Sequence, residues 1–246
     1  MTVTTLLFVV FALFVGGLTK GVLGIGLPVV SMPLMALVMG VRPAVALLTV
    51  PLLATNVFQA FEAGSPWSAV RRFWPAMVTL AGGIAVGTLL IAVVDRDTLY
   101  LIVGTALIAV ALQLSLNSSV RIPARAEPWL GALAGATGGV LGGMSAMFGP
   151  PLAVFLVGLK MGKDEFVAAV SLLYAVGSVA LFIAFSLNVA LDWKTMLASA
   201  ASLLPVYVGM WAGRILRERI NAEAFRQFVL AMIGLAGVSL IYQALT

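Results

Sequence analysis

Neither cysteine nor histidine occurs anywhere in this chain of 246 residues. That removes disulfides, thiolate nucleophiles and the commonest metal ligands together. Charge is nearly as scarce: 9% of residues are Asp, Glu, Lys or Arg, while 62% are hydrophobic, far from the balance of a soluble domain. The acids are missing where membrane-embedded chemistry would need them. Glu62, Asp95, Asp97, Glu127, Asp164, Glu165, Asp192, Glu218 and Glu223 all fall in loops or at the ends of apolar stretches. An intramembrane hydrolase, protease or redox enzyme would lack its general base, metal cluster or activated nucleophile. The chain therefore reads as a non-enzyme with no cofactor and no metal site. A carboxylate proton relay and a carboxylate cation site are absent too, which argues against an organic cation or divalent metal as ligand.

What the chain has is apolar length. Uncharged stretches run 3–19, 21–41, 43–61, 73–94, 98–120, 128–159, 166–191, 195–213 and 227–246, and about 20 apolar residues cross a bilayer as a helix. The runs are continuous rather than alternating, which excludes a membrane β-barrel. The expectation is an all-α, multi-pass membrane protein with the lipid bilayer as its main partner. The first segment has no positive n-region and no convincing cleavage site, so it is expected to remain as a span. Net charge is +5, but the cations sit mostly in short loops, which reads as topology determination and not as a nucleic-acid surface. Trp67, Trp74, Trp129, Trp193 and Trp211 lie near segment ends, as interfacial anchors do.

The chain also repeats itself. TKGVLG at 19–24 matches TGGVLG at 137–142, an offset of 118, while Met39-Gly40 matches Met161-Gly162, an offset of 122. On the second offset Pro28 falls on Pro150, Thr49 on Ser171 and Asn56 on Ser178; a four-residue insertion near Met144–Phe148 reconciles the two. The 32 uncharged residues 128–159 would make one helix of about 48 Å against a core of about 30 Å. Something there must turn back. Gly149-Pro150-Pro151 is the obvious place, with Gly24-Ile25-Gly26-Leu27-Pro28 as its counterpart. Each half thus reads as a broken or re-entrant helical hairpin followed by three spanning helices. The first repeat covers 1–118, with a hairpin at 3–40 and helices at 43–61, 73–94 and 98–117. A cytoplasmic linker covers 119–127. The second repeat covers 128–246, with a hairpin at 128–160 and helices at 165–187, 193–213 and 225–245.

This topology puts Arg71, Arg72, Arg121, Arg125, Lys160, Lys163, Arg214, Arg217, Arg219 and Arg226 on one side and Arg42, Arg96 and Lys194 on the other. The crowded side is then cytoplasmic. Five crossings per half make the halves inverted repeats, the plan of alternating-access carriers with a midplane site between broken helices.

The remaining cation is Lys20, the only charge in the first 41 residues. A charge inside an apolar, glycine-rich segment usually faces a pathway or ligand. Gly21, Gly24 and Gly26 would let backbone approach that ligand, Pro28 would start a half-helix, and the amides there would favour an anion. Thr19 adds a hydroxyl. Snorkelling of Lys20 to the surface is the competing reading. The second hairpin offers Gly139, Gly142, Ser145, Gly149 and Pro150 without a lysine, because Gly138 aligns with Lys20. Thr137 and Ser145 could donate to an anion or bond a nearby helical carbonyl. Thr49, Asn56 and Gln59 in the first half, and Ser171, Tyr174 and Ser178 in the second, could line a pathway or join helices. Thr55 shares a face with Gln59.

TKGVLGIGLPVVSMPLM, with its echo GGVLGGMSAMFGPPLAVFL, resembles the sulfite exporter TauE/SafE family, also called TSUP, over nearly the whole chain. The resemblance implies a permease, mostly of bacterial inner membranes, moving sulfite, sulfonates or other organic anions. It also implies a site built from Gly21, Gly24, Gly26, Pro28, Gly139, Gly142, Gly149 and Pro150. The sequence GIGLP and the extra segment Met144–Phe148 depart from the family pattern and alter the pocket's shape. A secondary transporter of small anions is the leading reading; an anion channel of the same fold and a non-transporting scaffold are the alternatives. Export can run on membrane potential, whereas uptake needs coupling, as to protons. Assembly stays open, with a homodimer among the options.

Overall fold

A computed structural model describes residues 2–24, 26–64, 67–115, 121–189, 192–217, 219 and 221–246, without the side chains at 110, 113–115, 163, 222–226, 228, 229 and 232. Among the sequence candidates, the side chains of Lys163, Glu223 and Arg226, and residue Glu218, lie outside the described set. Among the described residues every regular element is an α-helix: α1 Val3–Leu23, α2 Leu27–Met39, α3 Val41–Glu62, α4 Trp67–Val93, α5 Arg96–Ser115, α6 Glu127–Ser145, α7 Gly149–Gly158, α8 Lys163–Asn188, α9 Trp193–Ala201, α10 Leu203–Arg217 and α11 Ala222–Leu245. Five of the described spans are long and apolar enough to cross a membrane, and α9 with α10 forms one of them. The chain is therefore a multi-pass membrane protein. The segment 193–213, expected as one helix, is interrupted at Ser202. Pro205 explains this, since it has no N–H to continue the ladder.

The helix ends follow local chemistry. Thr2 caps α1 by accepting from the Thr5 N–H at 3.2 Å. Asp192 caps α9 through the Thr195 N–H at 2.9 Å. Both carry the side-chain oxygen that an N-cap requires. Gly24 ends α1 at φ 78, and its N–H bonds the Lys20 carbonyl at 2.8 Å. Ala146 ends α6 in the same left-handed conformation at φ 60, which costs a residue with a Cβ more than it costs glycine.

The helices gather into two compact units. One contains Met1–Pro51, Val94–Asn117 and Asp192–Thr246; the other contains Leu52–Val93 and Ser118–Leu191. Each draws on both halves of the sequence, and α3 passes from one to the other.

In the first unit α1 crosses α10 through glycines. A methyl on Gly17 would stand 2.3 Å from the Val206 carbonyl oxygen, and one on Gly21 would stand 2.3 Å from that of Met210. In return Gly209 and Gly213 admit the Phe14 and Leu18 carbonyls at 2.2 and 2.3 Å. Without Cβ atoms the two backbones touch, which supports helix association in lipid where no hydrophobic force draws helices together. The second unit repeats this contact between α6 and α4. Gly139 and Gly143 meet the Leu80 and Ile84 carbonyls at 2.4 and 2.5 Å, and Gly83 and Gly87 meet those of Ala136 and Val140 at 2.6 and 2.3 Å.

The matched residues fix the register between the halves. Gly17 answers Gly139 and Gly21 answers Gly143, 122 residues apart, and Gly24 answers Ala146 at the same interval. The expected shift from 118 to 122 is therefore corrected. The hairpins align without a four-residue insertion, and Lys20 corresponds to Gly142 instead of Gly138.

The proline inside α3 is accommodated by a neighbouring helix. Pro51 has no N–H, so the Leu47 carbonyl one turn earlier loses its helical donor. Ser199 of α9 donates to that carbonyl at 2.9 Å and accepts from the Val50 N–H at 3.1 Å. In the second unit Arg72 of α4 pairs with both Glu127 of α6 and Glu165 of α8.

Candidate functional site

The first hairpin breaks between α1 and the 13-residue α2. If Arg42, which is exposed, marks the membrane surface, the 13 residues of α2 reach about 20 Å inward, short of the core's roughly 30 Å. On that placement the N-terminus of α2 ends within the membrane, beside the end of α1. Ser31 of α2 donates to the Ala12 carbonyl of α1 at 3.0 Å and fills the space that a side chain on Gly16 would need. Lys20 stands one turn beyond Gly16, on the α1 face that Gly16 turns to Leu27 and Ser31. Only 5% of Lys20 is accessible, so it does not snorkel to an outer surface. Thr19 lies against Gly26, whose φ of 107 requires glycine and where an added methyl would meet the Thr19 Cγ2 at 3.1 Å. Pro28 occupies the first turn of α2, where its lost N–H costs no helical bond.

The second hairpin is built on the same plan with different contents. If Lys160 marks a membrane surface, the 10 residues of α7 run about 15 Å inward and bring Gly149 near the middle of a 30 Å core. Gly142, the counterpart of Lys20, carries no side chain, and Phe148 takes the space. A methyl on Gly142 would meet the Phe148 Cβ at 2.6 Å. The Phe148 ring packs edge-on against Tyr174, with centroids 5.5 Å apart, and lies against Gly177. Where the first hairpin holds a cation, the second holds an aromatic plug. The Tyr174 hydroxyl lies against the α7 N-terminus, only 2.3 Å from where a Gly149 methyl would stand. Pro150 and Pro151 follow Gly149 in the first turn of α7, so two of the amides expected to meet an anion carry no hydrogen. Tyr174 supplies a donor where the prolines remove them.

Hydrogen bonds sort the hydroxyl candidates. A hydroxyl has one proton, and a proton given to a carbonyl is not offered to an anion. Thr19 donates to the Val15 carbonyl at 2.9 Å, Thr49 to Ala46 at 2.8 Å, Ser145 to Leu141 at 2.7 Å and Ser178 to Ala175 at 2.9 Å. Ser145 also accepts from the Met147 N–H at 3.3 Å and so caps its own break. Thr137 is exposed and bonds the Leu133 carbonyl. Ser171 differs: it is fully buried on α8, one turn before Tyr174, and its Oγ has no hydrogen-bond partner. Asn56 is buried, as is Thr55, and Gln59 is half-buried, all on the second part of α3. Gly21 and Gly139 are consumed by helix crossings, whereas Gly24, Gly26, Gly142, Gly149 and the buried Pro150 shape the two breaks.

Several contributors do not stand out in the sequence. Phe148 reads as one more apolar residue, and Ser31 and Ser199 as isolated hydroxyls. The crossings could have been found in the spacing, since Gly17/Gly21, Gly83/Gly87, Gly139/Gly143 and Gly209/Gly213 are each G-x-x-x-G.

Neither a curated protein nor a solved structure matches the chain. The family model described as sulfite exporter TauE/SafE matches residues 9–240, taking in both hairpins and both glycine crossings. With 232 of 246 residues inside that match, the chain belongs to the sulfite exporter TauE/SafE family of membrane permeases.

Proposed function

We propose that this protein exports a small sulfur-containing or organic anion, of the sulfite or organosulfonate class, across the bacterial inner membrane by alternating access. The observation that carries the reading is Lys20, a buried lysine beside the N-terminus of the short helix α2. Half-helix N-termini bring partial positive charge to the anionic group of a substrate, and the ammonium adds a full charge. Gly24 and Gly26 keep the backbone open there. In the other unit, considered by itself, Tyr174 and Ser171 of α8 offer hydroxyls near Gly149 at the start of α7. The shared G-x-x-x-G crossings support a duplicated, inverted architecture. A negative cell interior drives an anion outward by about 2.3 kcal/mol per charge per 100 mV, so export needs no coupling ion.

Reconstitution tests this. Proteoliposomes loaded with sulfite or sulfoacetate should release it saturably under an imposed potential and should show counterflow. Non-saturating flux without counterflow would make the protein a channel, and no flux of any anion would favour a scaffold.

A further inference from the structure

The first unit contains a second cationic feature, far from Lys20. A cavity of about 440 Å³ opens where α2, α3, α5 and the end of α11 meet, well within the size range of small-molecule sites. Its wall joins two chemistries. Leu37, Met39 and Leu99 make it apolar, and Arg42 and Arg96 bring two guanidinium groups. Both arginines are held. Arg42 Nη2 donates to the Val94 carbonyl. The Arg96 guanidinium lies over the Tyr100 ring, 4.9 Å from its centroid. Gly40, at φ 88, turns the chain from α2 into α3 within one residue and so sets Arg42 beside the end of α2. The Asp95 carboxylate accepts from the Thr98 N–H of its own turn at 2.9 Å. The cavity lies at the surface ends of helices, the length of α2 (about 20 Å) from the break that holds Lys20.

We propose that this cavity is a separate oxyanion site, in which Arg42 and Arg96 hold the sulfonate or phosphate head of an amphipathic anion and the apolar wall takes its short tail. Each guanidinium group can meet such an oxyanion through two parallel N–H donors, and at Arg96 the ligand would compete with the nearby Asp97 carboxylate. At a bilayer surface the head can belong to an anionic phospholipid or to a free organic anion, and the chemistry is common to both.

The test uses the full chain in phosphatidylcholine nanodiscs, carrying Lys20→Ala so that the central site is silent and the transport reading is tested separately. Hexanesulfonate is titrated calorimetrically. Its affinity should fall about tenfold or more in Arg96→Gln and in Arg42→Gln, and less in Arg42→Lys, which keeps the charge. Nanodiscs containing phosphatidylglycerol, read by native mass spectrometry, identify the source. A retained phosphatidylglycerol that both glutamine variants lose marks a lipid ligand, and hexanesulfonate binding that phosphatidylglycerol does not compete marks a free anion; both outcomes support the site. Because Arg42 also tethers the Val94 carbonyl, thermal stability without ligand is compared first, and Arg96→Gln carries the test if Arg42→Gln is unstable. Unchanged binding of both probes in folded Arg96→Gln, or no binding of either probe by the parent, would overturn the proposal.

Discussion

At the scale of single residues, the scarcity of charge made one site legible and hid another. Lys20 stood out because nothing else in the first 41 residues carries charge, and its burial agrees with a position inside the protein. Its counterpart was not legible. Gly142 is one glycine among 25, and only the packing of Phe148 shows that the lysine position is filled there by a ring. The apolar packing around Phe148 makes a specific prediction. Phe148→Ala should leave a cavity and lower stability by about 3–5 kcal/mol, measured by thermal unfolding in detergent, while Phe148→Leu should recover most of the loss. Outside the membrane, Asp192 is held below the usual carboxylate range by the Thr195 hydroxyl and then by the Thr195 N–H. A depressed carboxylate stabilises the folded state above its unfolded pKa and loses that effect as pH falls through the folded value. Asp192→Ala should therefore lower the melting temperature at neutral pH, and its gap from the parent should close in acid. A gap independent of pH would show that the charge is not what caps α9.

At the scale of elements, glycine is ambiguous from sequence because close helix packing and close ligand approach both require a missing Cβ. Gly21 and Gly24 illustrate this, three residues apart. The first touches the Met210 carbonyl, and nothing lies within 4 Å of a methyl on the second, whose φ of 78 accounts for it. Gly87→Leu and Gly213→Leu should break the α4–α6 and α1–α10 crossings and cost several kcal/mol each, beyond the usual 1–3 kcal/mol (about that for overpacking) because backbone is in the way. Gly82→Leu, with open space around it, should be tolerated, and thermal unfolding of the three variants separates the cases. The proline in α3 offers a cycle. Ser199→Ala removes the donor to the Leu47 carbonyl and should cost about 1–3 kcal/mol. In a Pro51→Ala background the restored N–H serves that carbonyl, so the same change should cost less. Equal costs in both backgrounds would mean that Ser199 does not repair the break.

At the scale of the whole molecule, Gly/Pro breaks are local signals: Gly24 ends α1, whereas Gly149–Pro151, expected as the turn itself, form the first turn of α7 and the break lies just before them, at Ala146–Phe148. Which helices pack together was not legible, because α1 finds α10 across the full length of the sequence and α6 finds α4. The compact units therefore cut across the repeats that the sequence displays. The proposed function rests above all on Lys20 as the group that binds the anion. The most direct measurement is anion-induced thermal stabilisation of the purified protein and of Lys20→Ala, across sulfite, thiosulfate, sulfoacetate, isethionate, taurine, acetate and sulfate. The account predicts a selective shift with a sulfur oxyanion or organosulfonate that disappears in Lys20→Ala while the unliganded variant stays folded. The same shift in both proteins would contradict it.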